Sequence, residues 1–183
     1  MLKPTLAKAI ISTALAAAVA VPFAAGAETT TKAAGLNKGD IAIVEGMARA
    51  NIAEIDAGKL ALANGQSADV KAFAQKMIDD HTTALGDVTT LAQNKGLMLP
   101  TEPDAKHKAM AAKLSKLKGD KFDSEYMKQA GVADHTKVHA ALKKDEAKAK
   151  DPDVKALAAK MLPTVEQHLQ AANDKAHAGH MAK

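Results

Sequence analysis

Apolar residues return along this chain at helical intervals, and in one stripe a histidine takes the place of a core leucine. Phe73, Met77, His81, Leu85 and Val88 follow one another at spacings of four, four, four and three. Residues so spaced lie one above another on a single helix face. An earlier segment carries Ile41, Val44, Ala48, Ile52, Ile55 and Leu62 on one face. Two later ones align Met127, Gly131, Val138 and Leu142, then Met161, Val165 and Ala172. Four long helices are expected.

Breaks in the pattern place their ends. Asp40 is suited to cap the first helix, which runs to about Asn64. Gly65 suits a left-handed helix end and Ser67 the next cap, so the second helix follows at once and stops at Gly96 and Pro100. The third begins near Phe122, capped by Asp123, and runs to about Lys150. Asp151 and Pro152 then supply a cap and a first-turn proline for the fourth, which ends near Asn173. Between the second and third helices, residues 96–121 hold a short helix opened by Pro103 and continuing through Met110, Leu114 and Leu117.

Two short connections around one long one define an all-α, ferritin-like four-helix bundle with a short helix in its long middle connection. That helix covers about 21 Å, and the remaining residues extend up to about 40 Å. A long helix of the bundle measures only about 42 Å, so an end-to-end crossover is within reach. Composition agrees. The chain is 47% hydrophobic, largely through Ala, with no Trp, one Tyr and three Phe, too few β-branched and aromatic side chains to cover two sheet faces.

The amino terminus changes the expected compartment. Lys3 and Lys8 precede an apolar run from Ile10 to Val21, Pro22 breaks it, and Ala24 to Ala27 end on a small-x-small pattern. This is the layout of a cleavable export signal, and the run is short for a membrane span. The expected organisation is a signal peptide at 1–27, a flexible lead-in at 28–38, the bundle at 39–175 and a disordered tail at 176–183. The mature chain would be periplasmic, with outer-membrane association as an option, and would have no membrane span. There is no Cys, hence neither a disulfide nor a lipidation site. Without Lys3 and Lys8 the formal charge falls from +4 to +2, and the lysines alternate with acids. With no basic stripe and no stacking aromatics, nucleic acid is not an expected partner. No motif specifies a protein partner.

Each long helix places one metal-capable side chain near its midpoint: Glu54, His81, His135 and His168. Counted from the connections, the last two lie about 24–26 Å from their shared loop and the first two differ by about one turn, so all four fall at similar heights. Three imidazoles and a carboxylate suit zinc, iron or copper. The ferritin-like di-iron motif Glu-x-x-His is absent, because Ile78, Val132 and Val165 stand three residues before the histidines. The competing reading is a buried hydrogen-bonded layer, with Glu54, Asp80, Asn51 or Tyr126 as partners, that fixes helix register. Met47, Met77 and Met161 lie near these positions as core filler, and His139, His177 and His180 are weaker candidates. No thiol, nucleophile elbow, phosphate loop or His-Glu-x-x-His helix supports catalysis, and no catalytic residue is assigned.

Three motifs in order resemble a known family. They are Met-x-x-Asp-His at Met77, Asp80 and His81; Phe-Asp-x-x-Tyr at Phe122, Asp123 and Tyr126; and Leu-Pro-x-x-x-x-His-Leu at Leu162, Pro163, His168 and Leu169. Over residues 39–173 the chain resembles the exported domain-of-unknown-function family four-one-four-two. The resemblance implies a ferritin-like helical bundle and no established biochemical activity. From Glu54, His81, His135 and His168 the expected role is an exported bundle that binds a metal in its core, in envelope stress or metal handling. The alternative is a structural or interaction bundle with a histidine layer.

Overall fold

The computed structural model describes residues 35–181, with side chains through Lys175. The export signal, most of the lead-in and the side chains of His177 and His180 lie outside the described residues. Six α-helices and no strand are found among the described residues: α1 (Lys38–Asn64), α2 (Ala68–Asn94), α3 (Ala105–Leu114), α4 (Gly119–Tyr126), α5 (His135–Lys148) and α6 (Pro152–Met181). A π-helical segment, Met127–Asp134, joins α4 to α5 without a break, so these three make one long third helix. The α6 helix continues past the end expected at Asn173 and carries Pro163 in its interior. There the ring removes the main-chain bond to the Ala159 carbonyl.

Round the bundle, α1 packs on α2, α2 on α6, α6 on the third helix, and α4 on α1. The third helix starts beside the α1–α2 turn, because the Asp123 carboxylate accepts hydrogen bonds from the Gln66 and Ser67 amides, the latter at 2.7 Å. At the opposite end the Asp40 carboxylate accepts from the Lys150 and Asp151 amides at 3.0 and 2.9 Å. The third helix therefore runs parallel to α2, and the middle connection crosses the bundle from end to end.

Those bonds correct two expected caps. Asn37, not Asp40, caps α1 by accepting from the Gly39 and Asp40 amides. Asp123 lies inside a helix that already begins at Gly119. Each aspartate serves the loop of the other hairpin. Gly65 is also reassigned: its φ is −71°, so no left-handed conformation is needed. A Cβ there would lie 2.6 Å from Asp123 Oδ1, so glycine admits the carboxylate.

The inner face of α1 differs from the expected stripe. Val44, Met47, Ala48, Asn51, Glu54, Ala57, Gly58 and Ala61 are buried, while Ile52 and Ile55 sit at the edges and Leu62 is exposed. The reason is close approach. A Cβ on Gly58 would come within 2.7 Å of Ile78 Cγ1 and 3.1 Å of the Ala74 carbonyl, so small residues face α2. In α2 the expected stripe holds with Phe73, Met77, His81 and Val88 buried, while Leu85 is only partly buried. Two apolar clusters result. One gathers Val44, Val88, Leu142 and Val154; the other gathers Phe73, Met77, Leu114, Phe122 and Tyr126. Between them in sequence on every long helix lie buried polar groups: Asn51, Glu54, His81, His135 and His168.

Candidate metal centre

The three histidines come from α2, the start of α5, and α6, and their rings converge. Ring centroids stand 5.6 Å apart for His81 and His135, 5.2 Å for His81 and His168, and 5.3 Å for His135 and His168. One nitrogen from each lies within 4.8 Å of the others. All three side chains are buried. The matched heights expected from helix counting are thus realised for the histidines.

Their outer hydrogen bonds decide which nitrogen faces inward. Asn51 donates its amide NH2 to the Met47 carbonyl at 2.8 Å, which turns its oxygen toward His81. That oxygen accepts from His81 Nδ1 at 2.8 Å. His135 Nδ1 donates to the Ala130 carbonyl, also at 2.8 Å. This bond reaches back five residues, into the wide turn of the π-helical segment, and such turns recur at functional sites. His168 Nε2 donates to the Asp80 carboxylate at 2.7 Å. Every ring therefore spends its single N–H on an outer acceptor. The remaining nitrogens, Nε2 of His81, Nε2 of His135 and Nδ1 of His168, carry lone pairs.

Two of those lone pairs face each other: the Nε2 atoms of His81 and His135 are 3.4 Å apart. His168 Nδ1 is buried with no hydrogen-bond partner. A hydrogen bond between the two Nε2 atoms would need an extra proton and a buried imidazolium. Burial opposes that, together with the two neighbouring rings, and brings His81 down to about 3. His135 and His168 are lowered as well, in both cases first by burial. The three rings are built to remain neutral.

A metal 2.0–2.1 Å from each imidazole nitrogen, with tetrahedral angles, separates the ligand nitrogens by about 3.3–3.4 Å. The His81–His135 pair already has that spacing. The outer acceptors on Asn51, Ala130 and Asp80 are the kind that fix tautomer and ring direction around a metal. Imidazole as the sole donor type fits zinc, copper or iron, and does not fit magnesium or calcium, which take oxygen. Asp80 remains ionised on the rim. Burial would raise it, but hydrogen bonds from Lys76 and His168 bring it below the usual carboxylate range.

Glu54 is placed differently from the histidines. It is buried, yet stands outside the group of three, with Oε1 3.8 Å from the outward Nδ1 of His135. Neither carboxyl oxygen has a hydrogen-bond partner. Burial, then the Asp134 charge, holds it protonated well above the usual carboxylate range, against a smaller opposing pull from His107. The Tyr126 hydroxyl is likewise buried without a partner, and burial raises it. Of the proposed layer partners, Asn51 and Asp80 bond to histidines; Glu54 and Tyr126 make no such bond. His139 is half-buried and stands outside the group of three.

A second polar group escaped sequence reasoning. His107 of α3 bridges Asp104 (2.8 Å from Nδ1) and Asp134 (2.7 Å from Nε2), and Lys106 reaches Asp134 at 3.2 Å. The hydrogen bond to Asp134 is the main cause that raises His107 above its ordinary range. Helical spacing on the long helices could not reveal it, because its members meet only once the crossover is folded back.

An all-helical bundle with three convergent buried histidines is the class this geometry defines. The chain belongs to the family described as Domain of unknown function (DUF4142), which matches residues 25–174. Its fold is similar to that of a DUF305 fragment from Deinococcus radiodurans, known from a crystal structure, with a TM-score of 0.70 and 14% sequence identity over 79% of this chain and 99% of that one. At that identity the likeness concerns the fold alone. No curated protein matches the sequence.

Proposed function

We propose that this protein binds one first-row transition-metal ion in its core, through His81, His135 and His168. The observation that carries the proposal is the pair of lone-pair nitrogens at 3.4 Å, each ring already anchored by its outer N–H. A hydrogen-bonded layer accounts for the outer bonds but leaves this pair repulsive. A cation removes the repulsion and uses all three free nitrogens. Because the rings are neutral at ordinary pH, the ion displaces no protons from them. The reading extends to an exported protein of metal handling in the bacterial envelope, supported by the signal-like first 27 residues. It assigns no catalytic residue.

Metal analysis tests the core of this reading. The metal-stripped protein should take up one equivalent of Zn(II) or Co(II), with four-coordinate ligand-field bands for cobalt. The His81→Ala/His168→Ala double variant should take up none. Wild-type protein that binds no ion, or a double variant that binds as well as wild type, would refute it.

A further inference from the structure

The three imidazoles come from α2, α5 and α6, and the remaining helix, α1, contributes none. A small internal cavity lies on that side. It has a volume of about 20 Å³, and about 10–15 Å³ is enough to hold one water molecule. All four long helices enclose it. His81 and His135 form one wall, Asn51 and Glu54 of α1 stand on another, and Met47, Ala50, Val138, Leu142, Met161 and Val165 complete an apolar lining.

This placement gives Glu54 a purpose that ligation does not. Its carboxyl is buried without a hydrogen-bond partner in the protein, and Glu54 is among the residues that line the chamber. A carboxyl group offers two oxygens through which to hydrogen-bond a small molecule held beside it. A three-histidine ion keeps a fourth position open, as catalytic metal sites do and closed structural sites do not.

We propose that the chamber is the exogenous-ligand position of the metal, admitting a single water, hydroxide or diatomic molecule, with Glu54 as its hydrogen-bonding partner. The proposal rests on the three-histidine site described above. Chamber size sets the ligand class: the thioether and aliphatic walls exclude anything much larger than a diatomic. Glu54 then stands outside the ligand set while still acting on what the ion holds.

The test uses the full-length Co(II)-loaded protein and cyanide as a diatomic probe, with retention of cobalt checked after ultrafiltration. One equivalent of cyanide should shift the ligand-field bands of the wild type. Imidazole, which is too large, should leave them unchanged. Ala50→Leu, which fills the chamber from α1 and leaves the histidines in place, should still bind one Co(II) but lose cyanide affinity by about tenfold or more. If Ala50→Leu does not fold, Met161→Phe fills the chamber from α6 and carries the same expectation. Co(II) uptake with no cyanide response overturns the chamber proposal alone, as does a filled variant with wild-type cyanide affinity. Absence of Co(II) uptake by the wild type overturns both readings.

Discussion

At the scale of single residues, Glu54 is a costly group to bury. A buried carboxyl with neither oxygen partnered destabilises by roughly 1–3 kcal/mol relative to an apolar group of similar shape. Glu54→Met should therefore raise the thermal midpoint of the metal-free protein by about 2–12 °C, taking about 2–4 °C per kcal/mol for a chain of this size. Differential scanning calorimetry checks it, and a lowered midpoint would show that the carboxyl is satisfied. The three histidines were legible because each occupies a core position in a helical stripe, where a polar ring is conspicuous. Glu54 was legible as buried but not as standing apart from the group, since helix counting fixes height and not the direction a side chain takes. The Ala130 carbonyl that orients His135 left no trace in the sequence. A π-helical turn keeps Met127, Gly131 and His135 in apparent register.

Among the elements, the short α3 helix is tied to the third helix by a titratable latch. His107 sits between Asp104 and Asp134, with Lys106 also on Asp134, and its pKa is raised from 6.5. A raised base stabilises the fold fully below its unfolded value, and that contribution is lost as pH rises through the folded value. Replacing His107 with Gln should thus lower urea midpoints most near pH 6, and the difference from wild type should shrink at pH well above the folded value. A difference that grew with pH would contradict the latch. The hairpin ends were less legible than the helices themselves. Asp40 and Asp123 both look like caps because they precede apolar runs, and only tertiary structure shows that each serves the opposite loop. Likewise α1 hides its inner face in Ala57, Gly58 and Ala61, where small size matters more than hydrophobicity. Asp123→Ala removes bonds from a carboxylate to the Gln66 and Ser67 amides and should cost about 1.5–3 kcal/mol in equilibrium unfolding.

For the whole molecule, a core ion acts as a cross-brace among three helices. Binding only the folded state stabilises by about 2.7 kcal/mol at a hundredfold excess over Kd. The thermal midpoint should therefore rise by about 5–10 °C with saturating Zn(II), and the rise should vanish in the His81→Ala/His168→Ala variant. The paired clasps of Asp40 on residues 150 and 151 and of Asp123 on residues 66 and 67 have one more consequence. They fasten the front half of the chain to the back half at both ends of the bundle, by bonds that do not pass through the crossover. Met98, in that crossover, is 91% exposed. A single protease nick beside it should leave two fragments that elute together in gel filtration and separate only in denaturant. The protein would then behave as two self-complementing pieces, whose covalent link sets the local concentration of the halves and not the shape they make.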